Sequence, residues 1–348
     1  MSRIFVSGCG AVSPAGWSVA EMQRVLAAGQ PLPVQPLARP GWDKPLRMRA
    51  VPAPAVKPAF LAHPRLRRTS AITHYAAAAL LEALHGLPPD PARRLGLIVC
   101  LQSGCVQYTH RFFEEALADP ATASPLLFPE TVFAAPASHL AALLENAPRV
   151  TTLMGDPGTF AQGLALGADW LGQDRVDVAV VIGAEEVNWL RADALWHLEH
   201  AAVISGGAGA VALCRNPDWS AGTELVAVTQ PRSYCAHRDR QQAAAAVRGD
   251  LAPMENELLC DSLGDSPRTD APETAVWRDW AGPRVSPKRM LGEALMAAAA
   301  WQCVAAGAAV SAGTHPSAIV SITGCNQQAI GVRFRACPGP KDSRNICV

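Results

Sequence analysis

An excess of charge of either sign is missing from this chain: its 348 residues hold 30 Lys and Arg against 30 Asp and Glu. No net field draws it to nucleic acid or to an anionic membrane, and neither is expected as a partner. Charge of any kind is sparse at 17%, while 49% of the residues are hydrophobic. That excludes a disordered chain and describes an Ala-rich globular one with a large buried core. The length allows one big domain or two to three ordinary ones. Paired metal-binding cysteines are missing too. The ten cysteines, from Cys9 to Cys347, stand singly with no CxxC, and several lie in apolar runs such as "GLIVC", "AVALC" and "AAWQCVAAG". They are read as reduced structural thiols of a cytoplasmic protein. The opening "MSRIFVSGCGAVSPAG" lacks the apolar length of a secretion signal, breaking at Gly8, and reads as a strand entering a turn. One segment invites a membrane reading, "ALMAAAAWQCVAAGAAVSAG" at 294–313. Ala dominates it and Gln302 and Gly307 interrupt it, so a buried helix fits better than a span.

What is present is alternation. Apolar runs at 3–12, 94–104, 149–155, 177–186 and 204–215 read as strands. Helical spacing is expected at 19–29, 69–87 (with Thr69 or Ser70 as N-cap), 108–118, 137–146 and 158–172. Residues 30–66 form a Pro-rich excursion over the surface with little periodicity. A second series follows: strand-like "ELVAVTQPRS", a helix near 241–248, a polar loop at 261–275 and a helix at 289–307. The strands "SAIVSITG" and "AIGVRFRAC" close it. Continuous apolar strands alternating with helices indicate α/β layers. The two series run in similar order, which suggests an internal duplication with halves at 1–215 and 216–348.

One stretch asks for chemistry. "TLMGDPGTFAQGLALGADWL" (152–171) reads as a tight turn feeding a small-residue helix, a place where some enzymes mount a nucleophile. The bend holds Gly155, Asp156, Pro157 and Gly158, with no Cys, Ser or His among them.

Five segments, in order, carry a resemblance to the β-ketoacyl synthases of the thiolase fold: "FVSGCGAVSPAGWSVAEM", "GLALGADWLGQDRVDVAVVIGAEE", "SGGAGAVALCR", "VSPKRMLGEALMAAAA" and "SITGCNQQAIGVRF". The resemblance runs nearly end to end. It implies an α/β thiolase-like fold of duplicated βαβα halves in α-β-α-β-α layers, usually dimeric with active sites beside the interface. It implies no metal or cofactor. An active synthase sets a Cys at the start of the first buried helix, where the helix end lowers the thiol pKa, and two His that stabilise an enolate. Gly155 falls on the cysteine position. Asp261 or Ser262 falls on the first histidine and Glu293 on the second, whereas Lys288, Asp270 and Glu273 match retained positions. The nearest thiols are Cys105 and Cys325, and Thr159 lies one turn into the helix.

Physical readings accompany the exchanged residues. Asp156 before Pro157 reads as an N-cap worth about 1 kcal/mol to the following helix. Lys288 and Glu293 are expected to pair, and Asp156, Asp261 and Glu293 together would repel a malonyl carboxylate. His197 and His200 ("HLEH") are three apart on an expected exposed helical face. Arg65, Arg67 and Arg68 form a basic cluster, read as solvated, that could receive an acidic carrier protein.

The resemblance thus implies a catalytically silent, chain-length-factor-like subunit. It would heterodimerise with an active ketosynthase, engage acyl carrier protein directly or through that partner, and shape the acyl tunnel by bulk. The interface is expected at roughly 100–155, with Tyr108, Phe112, Phe113, Phe128, Phe133 and Met154 as wall candidates. Ile322, Gly324, Cys325 and Asn326 fall on the family's gating loop. The compact second half is similar to the small ketosynthase-like subunits of aryl polyene pathways. Two other readings stay open: a thiolase-fold decarboxylase or hydrolase using Asp156 or Cys325, and a non-catalytic carrier-protein scaffold.

Overall fold

The structure, a computed structural model, describes residues 3–144, 149–235, 237–325 and 327–337. Asn326 and Cys347 lie outside the described residues. In the first half β1 (Ile4–Val12) leads to α1 (Val19–Ala28), and Gly29 stops that helix with a left-handed φ of 64°. The Pro-rich excursion carries two short strands, β2 (Gln35–Leu37) and β3 (Leu46–Arg49). Next come α2 (Ala71–Leu84), β4 (Leu95–Leu101), α3 (Val106–Ala118) and α4 (Ala135–Leu143). Then follow β5 (Arg149–Met154), α5 (Thr159–Gly172), β6 (Val178–Glu185), α6 (Trp189–Leu198), β7 (Ile204–Ser205) and β8 (Gly207–Cys214).

The second half runs β9 (Thr223–Val228), β10 (Arg232–Ser233), α7 (Arg240–Leu251), β11 (Leu258–Cys260) and α8 (Pro267–Val276). It ends with β12 (Arg284–Val285), α9 (Pro287–Leu291), α10 (Met296–Ser311), β13 (Ser317–Thr323) and β14 (Gln328–Ala336). Pairing order repeats between the halves. β5-β4-β6-β8-β1 and β12-β11-β13-β14-β9 each run parallel, parallel, antiparallel, antiparallel. A short antiparallel pairing of Ile4–Val6 on Thr223–Leu225 joins the two.

Helices fill the spaces between and outside the two arms of this one continuous sheet. α2 covers β1 and β8, α7 covers β14 and β13, and α5 and α10 lie between the arms, each touching strands of both. The expected α/β layering is therefore present. α10 is buried along almost its whole length, from Met296 to Gly307. Its small Ala side chains let both arms of the sheet close on one helix. The strands reciprocate: a Cβ on Gly209 would stand 2.7 Å from the Ala300 Cβ, and one on Gly183 would stand 2.7 Å from the Met296 carbonyl. Trp301, fully buried here, donates its indole N–H to the carbonyls of Val12 and Ala208, each at 3.0 Å. No helix among the described residues is long and apolar enough to cross a membrane.

Several local expectations need correction. The polar loop at 261–275 contains α8, whose first position is Pro267 and whose interior carries Pro272. The helix expected at 289–307 is broken at 292–295, where Gly292 has φ 95° and Leu295 φ 48°. Ser70 does precede α2, but its hydroxyl donates to Glu186, and the Glu186 carboxylate takes the Ile72 N–H at 3.2 Å instead. A carboxylate just past the end of β6 therefore caps this helix, which no local pattern could reveal.

Candidate functional site

The bend between β5 and α5 is built differently from its sequence reading. α5 begins at Thr159, and its first N–H groups go to main-chain carbonyls, Thr159 to Asp156 at 2.8 Å and Phe160 to Pro157 at 3.2 Å. The Asp156 carboxylate does not cap the helix. It is 1% exposed and accepts the backbone N–H groups of Cys325 (3.0 Å), Gln327 (3.4 Å) and Gln328 (3.2 Å), with the Cys325 thiol at 3.1 Å. Three amides from the β13–β14 turn satisfy more of a carboxylate than one helix end does. Gly324 permits the approach, since a Cβ there would fall 1.5 Å from Asp156 Oδ2.

Gly155 lies half-buried beside this lock. A Cβ on it would meet the Thr159 hydroxyl at 2.5 Å, so Thr159 occupies the space a nucleophile side chain would need. Cys325 is no substitute. Burial and then the Asp156 charge push its thiol up to about 12, and a protonated thiol is a poor nucleophile. Cys105, fully buried, is likewise raised by desolvation.

A cavity of ≈ 200 Å³ opens in front of the Cys325 turn and is lined by Lys288, Glu293, Arg240, Tyr234, Ser262 and Cys325 among others. Of the three acids expected to share one repulsive site, only Glu293 lines it. Asp261 is fully buried behind it, held by Arg284 and accepting the Leu263 N–H at 3.0 Å. Lys288 Nζ donates to Glu293 Oε2 at 2.8 Å. Burial pulls the Lys288 ammonium down, yet the charge and hydrogen bond of Glu293 outweigh it and hold it above its ordinary value. Burial pushes Glu293 the other way, and Lys288 more than reverses that, leaving its carboxyl below the usual range. Two of the three expected charges are thus paired with cations, Glu293 with Lys288 of α9 and Asp261 with Arg284 of β12, and the third, Asp156, is held by amides away from the cavity.

Two matched acids hold the floor together. Asp270 accepts the Gly264 N–H at 2.9 Å and the Ser266 N–H at 3.1 Å. Glu273, 2% exposed, takes the Ser262 N–H at 3.3 Å. Burial, with Asp261 nearby, raises Glu273 from 4.5 to about 7. A carboxyl with a raised folded pKa stabilises the fold below its unfolded pKa, and that contribution is lost as pH rises through 7. Glu273→Gln is therefore expected to leave thermal stability unchanged in acid but to raise it at about pH 8 by on the order of 2 kcal/mol. Melting curves of both proteins across pH check this; parallel curves would refute it.

Four of the wall candidates are exposed. Phe113, Phe128, Phe133 and Met154 are 60%, 57%, 37% and 61% exposed. Phe112 packs on Phe128 with ring centroids 5.5 Å apart, and the Tyr108 hydroxyl donates to the Arg68 carbonyl at 2.6 Å. β5 is an outermost strand of the sheet. Ile322 is 1% exposed, inside β13. The "HLEH" expectation is corrected: α6 ends at Leu198, and His200 beyond it sits with Nδ1 2.7 Å from the Trp196 carbonyl. Arg65, Arg67 and Arg68 are exposed, around a 3-10 turn rather than a helix start.

Sequence reasoning missed Arg240 and Tyr234 at the cavity. It also missed the buried Glu185, which takes the Gln102 N–H at 2.7 Å, pairs with Arg191 at 3.4 Å and so holds the chain after β4. Nothing in "RDRQQAAAA" separates Arg240 from an ordinary charged helix start. Adjacent acids at the end of an apolar strand, "GAEE", were the available signal for Glu185.

The same architecture is found in solved ketosynthases. "The ishigamide ketosynthase/chain length factor" superposes with a TM-score of 0.80 at 19% identity, covering 97% of this chain and 100% of that one. A β-ketoacyl synthase from Burkholderia phymatum STM815 gives 0.80 at 16%, covering 97% and 100%. A ketosynthase in complex with its chain length factor from Xenorhabdus doucetiae gives 0.75 at 16%, covering 97% and 98%. No protein-family model matches the sequence, and no curated protein does. The chain has the thiolase-like fold of the ketosynthases.

Proposed function

We propose that the chain is a non-catalytic ketosynthase-like subunit, a chain-length factor, which heterodimerises with an active β-ketoacyl synthase. It shapes the partner's acyl tunnel in type II polyketide or fatty-acid-like synthesis, with aryl polyenes the favoured product class. Carrier protein engages the pair directly or through the partner, and residues 1–215 and 216–348 are its two halves. One observation carries the reading: at the bend where a ketosynthase nucleophile belongs stands Gly155, with the Thr159 hydroxyl in the place of its side chain. The groups an altered enzyme would use are engaged, Asp156 by three amides and Cys325 by Asp156. The exposed Phe113, Phe128, Phe133 and Met154 and the open edge of β5 support a partner, since monomers rarely leave such apolar groups or a strand edge uncovered.

Co-expression with an active ketosynthase from the same organism should give a stable 1:1 complex on size exclusion, while the chain alone releases no CO2 from malonyl carrier protein. Met154→Asp and Phe113→Asp should each weaken the complex at least about tenfold, as expected for charges buried at an apolar contact. Phe128→Ala in the intact pair should lengthen the product if that ring meets the tunnel. Turnover of an acyl thioester by the isolated chain, or failure to co-purify with any such ketosynthase, would sink the proposal.

A further inference from the structure

Arg240, the first residue of α7, is 4% exposed and lines the cavity. A guanidinium carries five N–H donors. Nη2 donates to the Thr323 carbonyl at 3.3 Å, but Nε and Nη1 have no acceptor among the described residues. Arg240 opposes the rise that burial imposes on the Tyr234 phenol, and that hydroxyl itself donates to the Gly324 carbonyl at 2.6 Å. The carboxylates around the cavity are taken elsewhere. Glu293 belongs to Lys288, Asp270 to the amides of Gly264 and Ser266, and Glu199 to the amides of Ala201 and Arg268. A desolvated cation with open donors is costly unless an anion meets it.

We propose that this cavity is a binding site for a small monocarboxylate, whose carboxylate rests on Arg240. Size limits the occupant: ≈ 200 Å³ holds a short acid and excludes a nucleotide or an intact coenzyme. Charge limits it further. Arg240, Lys288 and Arg268 face Glu199, Asp270 and Glu293 around the cavity, so a dianion would bring negative charge to acids already present. Leu195, Leu198 and Ala202 offer the apolar wall a short chain requires. The inference does not depend on heterodimer formation, because binding is read on the full chain alone.

Isothermal titration with sodium butyrate, at constant ionic strength set by sodium chloride, tests it. Saturable 1:1 binding is expected. Arg240→Gln should weaken it at least about tenfold, Arg240→Lys should keep part of it, and Arg24→Gln, an exposed arginine on α1 outside the cavity lining, should leave it within about twofold. Should Arg240→Gln fail to fold by circular dichroism, Ala202→Trp plugs the cavity with Arg240 in place and should also abolish binding. Absence of saturable heat, or unchanged affinity in either Arg240→Gln or Ala202→Trp, overturns the site. Inorganic phosphate binding as tightly as butyrate overturns the monocarboxylate assignment.

Discussion

Asp156→Ala is expected to lower folding stability by about 3 kcal/mol, among the largest single losses available in this chain. The carboxylate is buried and joins two distant segments, the bend before α5 and the turn between β13 and β14. Its removal leaves the Cys325, Gln327 and Gln328 amides without their acceptor, and an unmet buried donor costs about 1–3 kcal/mol. Gly324→Ala should act on the same lock from the other side. Its Cβ cannot coexist with Asp156 Oδ2 at 1.5 Å, nor sit easily 2.8 Å from the Gln328 carbonyl. In the double variant Asp156→Ala/Gly324→Ala the two losses should fall well short of additive, since each alone opens the same contact. Urea melts of the four proteins decide it, and strict additivity would show that the two residues act separately. Had Asp156 capped α5 instead, Gly324 would be indifferent to it.

Lys288→Met should cost about 3 kcal/mol, because Glu293 would be left charged beside a largely buried surface. The loss is moderated because 23% of the Glu293 side chain stays accessible at the cavity. Lys288→Met/Glu293→Gln should recover most of it, a buried pair being worth far less than the penalty for breaking it. The pH response separates the two halves of the pair. Glu293, depressed in the fold, contributes above its unfolded pKa and loses that contribution as acid protonates it. Lys288, raised in the fold, contributes below its unfolded pKa and loses that as alkali deprotonates it. The wild type should therefore hold a plateau through neutral pH whose acid limb is shallower in the double variant. Equal stability of Lys288→Met and wild type at neutral pH would count against the pair.

Much of the site was legible as positions and little of it as contacts. Motif order located Gly155, Lys288, Glu293, Asp270 and Glu273 because each sits at a fixed offset from a strand or helix end. The partners were invisible for the opposite reason. Asp156 meets a turn about 170 residues away, Asp261 meets Arg284 across β11 and β12, and Ser70 meets Glu186 across α2 and β6. The Asp-Pro step satisfied every local rule for an N-cap, yet three amides from elsewhere compete better for the carboxylate than a single helix end. α8 was missed because Pro267 and Pro272 read as loop residues, although the first is favoured at a helix start.

By itself the sequence determined the α/β class and the order of strands and helices, and that the bend at 155–158 holds no Cys, Ser or His. Those follow from period, apolar run length and residue identity, which are local quantities. Tertiary structure alone decided the contacts of the site: the Asp156 carboxylate locked to the β13–β14 turn, Asp261 and Glu293 paired with cations from neighbouring elements, and Arg240 with donors open among the described residues in a small cavity. Each of these depends on which distant groups share a desolvated space, and only the packed sheets and buried helices settle that.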